Sequence, residues 1–363
     1  TATTEIYTLS LHDALLIWHN MEMLQITWFV LWAVLWSVYF MLDGFVFGVG
    51  FLSGLIAKND TEKRILINSI GPVWDGNEVW LLTAGGATFA AFPTTYALMF
   101  SYLYTALLLL LFSLIVRGVS FEFRGKIDSP VWKSSWDTAI IVSSFLPALL
   151  FGVAFGNIFK GLPMDAAGYH GGLISLLNPY GIVTGLLFVL LFAVHGALYA
   201  TVKTVGDLSS RAFNLAKLLW IPLLLIAVVF LGYTAYATKL YDNYLKVPVL
   251  FIAPAVAVLA MVATYFFMLK NAALKAFTAS CITIVFVCVT GVAGLFPNLI
   301  PSNLDPAFSL TIFNSSSSQY TLAIMTVVAG IFVPTVILYK IWAYRVFRAP
   351  VTEKDVLENS EAY

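Results

Sequence analysis

Between residues 24 and 344 the chain is a succession of long apolar stretches with short breaks, and no other feature restricts its fold as much. A helix needs about 20 mainly apolar residues to cross the hydrocarbon core of a bilayer. Inside that core its backbone polar groups must be satisfied within the segment, which a helix achieves. With 60% hydrophobic and only 10% charged residues, a soluble domain of 363 residues could not hide this much apolar surface. The sequence therefore predicts an all-α polytopic membrane protein with little mass outside the bilayer.

The predicted spans are 24–57, 77–92, 95–116, 137–159, 180–202, 218–237, 248–269, 277–296 and 320–344. The second is short, and basic residues decide whether it counts, because short cytoplasmic loops are enriched in Lys and Arg. With nine spans and the N-terminus outside, lysines and arginines divide 16 inside to 3 outside, the three being Lys160, Lys239 and Lys246. Merging the second span with the third puts the following basic loops on the wrong side. The expected architecture is thus about nine transmembrane helices, arranged as two four-helix bundles plus one extra helix, with a cytoplasmic C-terminus. Residues 1–22 read as an external arm with no targeting signal, 23–345 as one transmembrane domain and 346–363 as an exposed cytoplasmic tail.

Within the first, over-long apolar run stands a single charge, Asp43. A lone carboxylate near mid-bilayer costs about 2.5–3.5 kcal/mol on insertion scales, so it should be paired, protonated or beside a wet path, and a proton relay is its favoured reading. Gly44 and Gly48, then Gly50 and Gly54, repeat at a spacing that lets a neighbouring helix approach closely. Lys58 to Trp74 reads as a polar, basic loop closing on Asp75-Gly76-Asn77-Glu78, where Asp75 resembles a helix N-cap. Capping explains Asp75 and Glu78 about as well as proton uptake does. Arg117, Glu122 and Arg124 read as a snorkelling anchor at the cytoplasmic end of the third span. Gly152, Gly156 and Asn157 look like a helix stop, and Asn314 to Ser318 like a capping cluster.

Several chemistries are missing. The chain has no phosphate-binding Gly-Lys-Ser/Thr loop, no HExxH and no paired CxxC. Cys281 and Cys288 fall on one predicted helix, roughly 10 Å apart, too far for a disulfide. Haem needs axial His, Met, Cys or Tyr ligands. Of four histidines, His12 and His19 fall in the arm and His170 in an outer loop, leaving only His195 within a span. One intramembrane histidine cannot build a bis-histidine site, so any haem belongs to a partner, and His195 reads as a packing residue bonded to a backbone carbonyl.

The runs Leu42-Asp43-Gly44-Phe45-Val46-Phe47-Gly48, Asn59-Asp60-Thr61-Glu62-Lys63-Arg64 and Asn68 to Trp80, which contains Pro72-Val73-Trp74-Asp75-Gly76-Asn77-Glu78-Val79-Trp80, resemble subunit II of cytochrome bd quinol oxidase. The likeness continues through Thr83-Ala84-Gly85-Gly86, Gly152 to Asn157, Leu177-Asn178-Pro179-Tyr180-Gly181 and Ser317-Ser318-Gln319, covering nearly all of the chain after residue 22. The resemblance implies a respiratory terminal oxidase that oxidises quinol and reduces dioxygen to water. Haems b and d and the quinol then belong to the partner subunit I, and this chain binds no cofactor or metal and holds no catalytic residue. It further implies a proton path through Asp43 and Asp75, with Glu78 as a further member, and oxygen access at Trp80. A small single-span subunit and lipids are the other expected partners, nucleic acid is not one, and the location is a bacterial or archaeal plasma membrane. Many relatives carry a second acid where this chain has Val46. Two rival readings are a stand-alone secondary transporter coupled to protons through Asp43 and an assembly scaffold.

Overall fold

The computed structural model describes residues 11–358, with side chains from residue 20. Residues 1–10 of the predicted arm, and the side chains of His12 and His19, lie outside the described residues. In chain order the helices are α1 (Leu11–Ile56), α2 (Asp60–Ile70), α3 (Trp74–Ala91), α4 (Pro93–Tyr102), α5 (Tyr104–Phe123), α6 (Pro130–Lys160), α7 (Leu173–Leu176), α8 (Pro179–Lys203), α9 (Gly206–Ala237), α10 (Tyr241–Lys246), α11 (Ile252–Leu269), α12 (Ala273–Leu295), α13 (Ile312–Ser315), α14 (Gln319–Val346) and α15 (Glu353–Glu358). Two short antiparallel pairs, β1 (Met164–Asp165) with β2 (Gly168–Tyr169) and β3 (Asn298–Ile300) with β4 (Leu310–Thr311), belong to loops at one end of the bundle. The predicted all-helical membrane architecture is what forms.

α1 has 46 residues, or about 69 Å of helix, well over twice the hydrocarbon thickness. It runs unbroken from Leu11, so the boundary drawn at residue 22 is not a helix end. α1 packs on α3 and α6 on one side and on α8 and α12 on the other. One group comprises α1, α3, α5 and α6, a second α8, α9, α11 and α12, and α14 lies outside both against α1. The glycines explain how the groups meet. A Cβ on Gly48 would stand 2.0 Å from the Phe192 carbonyl oxygen, and one on Gly196 would stand 2.5 Å from Gly48 Cα, so α1 and α8 touch backbone to backbone. Beside this seam Trp36 and Phe40 interlock with Phe151, Phe155 and Phe188, with the Phe40 and Phe188 centroids 5.1 Å apart.

Among the described residues eight helices are long and apolar enough to cross a membrane, and the predicted span 77–92 is not one of them. It corresponds to α3, whose 18 residues run antiparallel to α1, with Asn77 bonded to the Leu42 carbonyl and Thr88 to the Trp32 indole. Leu103, between α4 and α5, packs with Val153 and Leu162 at the end where α6 finishes. The predicted span 95–116 is likewise two helices, α4 and α5, meeting at Leu103.

Four local expectations are corrected. The supposed loop 58–74 is mostly the helix α2, started by Asn59, which accepts from the Glu62 N–H at 2.8 Å. Its Ile65, Leu66 and Ile70 are buried, and its charges are held by Arg124 (to Asp60, 2.7 Å), Asp137 (from Lys63, 2.7 Å) and Arg211 (to Glu62, 2.6 Å). Gly152 and Gly156 do not stop α6, which continues to Lys160; they admit α8, since a Cβ on Gly152 would lie 2.6 Å from Gly185 Cα. The tail after Pro350 is docked: Val351 N–H donates to the Lys203 carbonyl at 2.8 Å, and Val356 is buried. The fourth correction, at Asp75, belongs to the site below. Ser318, by contrast, caps α14 as its position suggested, accepting from the Thr321 N–H.

Candidate functional site: a buried charge cluster on α1, α3 and α5

Asp43 is fully buried on α1, and its Oδ2 accepts a 2.9 Å hydrogen bond from Arg117 Nη2 on α5. The same nitrogen donates at 2.6 Å to Oε1 of Glu78 on α3. The Arg117 guanidinium lies 4.2 Å from the Phe47 ring centroid, an additional favourable contact for a desolvated cation. Arg117 is thus not the snorkelling anchor its position suggested: its side chain is 0% exposed, and it is the counter-charge that makes a mid-span Asp tolerable. α5 continues to Phe123, nearly two turns past Arg117. The apolar run ends at residue 116, and the end of the apolar letters is a poor guide to the end of the helix.

The cluster is under-saturated. Arg117 Nε and Nη1 have no hydrogen-bond partner among the described residues, while the Tyr39 hydroxyl, one turn earlier on α1, lies against the Asp43 carboxylate. Such an arrangement of buried donors and acceptors suits ordered water better than a dry structural ion pair does.

From this core the polar groups lead outward along the start of α3. Glu78 is 23% exposed at its side chain, and Asp75, one turn earlier, is exposed. Residues three apart lie on one helix face. Asp75 is not the N-cap: that position is Val73, without a side-chain capping bond, and Asp75 sits in the first turn. Asn77, fully buried, fastens the region by donating to the Leu42 carbonyl (2.8 Å) and accepting from the Tyr344 hydroxyl (2.9 Å). Lys340 of α14 reaches the same Asn77 oxygen at 3.5 Å. Tyr344 and Lys340 went unnoticed in the sequence because they are more than 260 positions from Asn77. Trp80 lies on the same helix, 4% exposed within the apolar core. Val46 is buried in that core as well.

His195 is hydrogen-bonded through both ring nitrogens. Its Nδ1 shares a 2.7 Å hydrogen bond with Ser280 Oγ, its Nε2 donates to the Met41 carbonyl at 2.9 Å, and Phe277 stacks on the ring at 4.8 Å between centroids. This contact between α1, α8 and α12 is fully buried. Among the described residues no His, Cys, Asp and Glu cluster could hold a metal ion. The two cysteines are free.

Comparison with known proteins adds a second line. A model of the family described as cytochrome bd terminal oxidase subunit II matches residues 24–347. Subunit 2 of the cytochrome bd-I ubiquinol oxidase of Escherichia coli K12 is 36% identical, covering 94% of this chain and 99% of that protein. Subunit 2 of the cytochrome bd ubiquinol oxidase of Bacillus subtilis is 37% identical over 92% of this chain and 99% of its own length. In fold, the chain matches a chain of the bd oxidase structure from Geobacillus thermodenitrificans with a TM-score of 0.74, at 20% identity, covering 90% of this chain and 98% of that one.

Proposed function

The chain belongs to the cytochrome bd terminal oxidase subunit II family, and on that basis we propose that it is the haem-free subunit of a bacterial inner-membrane oxidase that oxidises quinol and reduces dioxygen to water. Haems b and d and the quinol site reside on a subunit I partner, with a small single-span subunit as a further component. The engaged His195 supports the haem-free assignment, since this chain then offers no intramembrane imidazole for an iron. α3 serves as the ninth traverse, because it carries the chain along α1 despite its limited apolarity.

The subunit's contribution to the reaction is access. Asp75, exposed at the start of α3, collects protons; Glu78 and Asp43, bridged by Arg117, pass them toward the centre of the protein complex. The two unpartnered nitrogens of Arg117, beside Asp43 and Tyr39, are donors for water that links these groups. Trp80, on the same helix, borders the oxygen route. When bound by the partner, haem supplies the oxygen chemistry; the residues of this chain hold and move protons.

The observation that carries this reading is the fully buried Asp43 bridged through one arginine to a half-open Glu78. Asp43→Asn and Asp75→Asn, each in the intact complex, should lower oxygen consumption at least tenfold while the haem spectrum per complex stays unchanged. Wild-type turnover in both variants sinks the proton-access assignment and leaves an assembly scaffold.

A further inference from the structure

Lys340 stands at the mouth of this cluster without a structural task that requires a lysine. It projects from α14, a helix otherwise almost wholly exposed, onto the first turn of α3. A Cβ on Gly76 would lie only 2.4 Å from the Lys340 Nζ atom, so the ammonium rests directly on α3 backbone. Its one hydrogen bond, to Asn77 Oδ1, is long at 3.5 Å. Among the described residues no carboxylate lies within ion-pair distance of it, yet Asp75 and Asp43 both interact with it electrostatically.

The docking of α14 here is secured by other groups. Tyr344 donates to the same Asn77 oxygen at 2.9 Å, and the Lys203 amine donates to the carbonyls of Phe347 and Ala349 just beyond the helix. A partly buried ammonium with three donors and a single long bond is a poor fastener. It is a charge placed between an exposed carboxylate and a buried one.

We infer that Lys340 is a positioning residue for proton entry: its ammonium, seated over Gly76, holds positive charge between Asp75 and the Asp43–Arg117–Glu78 cluster and draws the proton-carrying groups of this path together. This rests on the proton-access reading above. The charges that act on it are Asp75 of α3 and Asp43 of α1; Asp43 is bridged in turn through Arg117 of α5 to Glu78 of α3, so the path has three carboxylates and Lys340 is the second of two cations. Without it, the passage from Asp75 inward has only the fully buried Arg117 to offset the negative charge.

The test uses the complete oxidase complex, with rates expressed per haem. Lys340→Met should lower kcat for oxygen consumption roughly five- to tenfold while leaving KM for quinol unchanged. Lys340→Arg should restore most of the rate, which a packing role for the aliphatic stem does not predict. Lys340→Gln, which keeps a polar side chain but removes the charge, should reproduce the Lys340→Met loss and covers the case in which that variant assembles poorly. If Asp75→Asn is slow but Lys340→Met and Lys340→Gln turn over like wild type, this inference is overturned and the proton-access reading stands. Should Asp75→Asn and Asp43→Asn both be unaffected, both fall together.

Discussion

Removal of Arg117 is the sharpest test of how the cluster is held. Its interaction with Asp43 joins two side chains that are each 0% exposed, so neither can recover hydration when the other is lost. Breaking such a buried pair costs about 3–5 kcal/mol, because a charge is left uncompensated. The bond to Glu78 is worth less, since that carboxylate is 23% exposed and partly screened. The predicted order of destabilisation is therefore Arg117→Met, then Asp43→Asn, then Glu78→Gln, with the last below about 1 kcal/mol. A double-mutant cycle makes the argument quantitative: Arg117→Met with Asp43→Asn removes both members and should recover at least half of the loss caused by Arg117→Met alone. The assay is urea- or temperature-induced loss of the folded complex in detergent, followed by circular dichroism and by the partner's visible absorption. Additive penalties in the double variant, or a Glu78→Gln as damaging as Arg117→Met, would refute the claim that burial of the Asp43 pair dominates.

Two further outcomes follow from other parts of the fold. For Asp60 and Glu62, slight burial pushes the carboxyls up, but hydrogen bonds and charge outweigh it, from Arg124 and Lys133 on Asp60 and from the Lys58 N–H and Arg211 on Glu62, so both sit below their ordinary values of 3.8 and 4.5. Carboxyls depressed in the folded state stabilise above their unfolded values and lose that contribution as pH falls through the folded ones. Docking of α2 should thus be constant at neutral pH and loosen below about pH 4, read as faster amide exchange across residues 60–70. Gly48→Ala forces a methyl to within 2.0 Å of the Phe192 carbonyl oxygen and should cost about 1–3 kcal/mol or more, lowering the yield of folded subunit, whereas Gly85→Ala, with nothing within 4 Å, should be silent. Equal yields from the two variants would contradict the backbone contact between α1 and α8.

The fold was legible where the code is periodic and apolar. α6, α8, α9, α11, α12 and α14 all coincide with predicted spans to within a few turns, because burial in lipid leaves a helix no alternative partner for its backbone. α2 was misjudged because its apolar residues, Ile65, Leu66, Ile67 and Ile70, are few and sit among charges that only find their partners just beyond α5 and on α6 and α9. The candidate site divides the same way. Asp43 announces itself as a lone acid in a span, and a desolvated carboxylate demands a cation. Which cation is a matter of tertiary geometry: Arg117 is 74 positions away on another helix, and nothing in its neighbours separates it from Arg124, which ends up among Asp60 and Asp137 instead.

Val46 shows how that geometry bears on the chemistry. The resemblance implies that many relatives carry a second acid there, on the same helix as Asp43. In this chain the position is a fully buried valine, so Arg117 cannot draw both its carboxylates from α1. Its second partner is Glu78, which belongs to a different helix and keeps about a quarter of its side chain exposed. Two acids on one helix would form a unit that depends on α1 alone. Here the bridge joins α1 to α3 through α5, so the buried Asp43 is electrostatically coupled to the helix that carries Asp75 and receives Lys340. Substitutions of Asp75 on α3 or Lys340 on α14 can therefore reach Asp43 through charge as well as through the packing of these helices on α1.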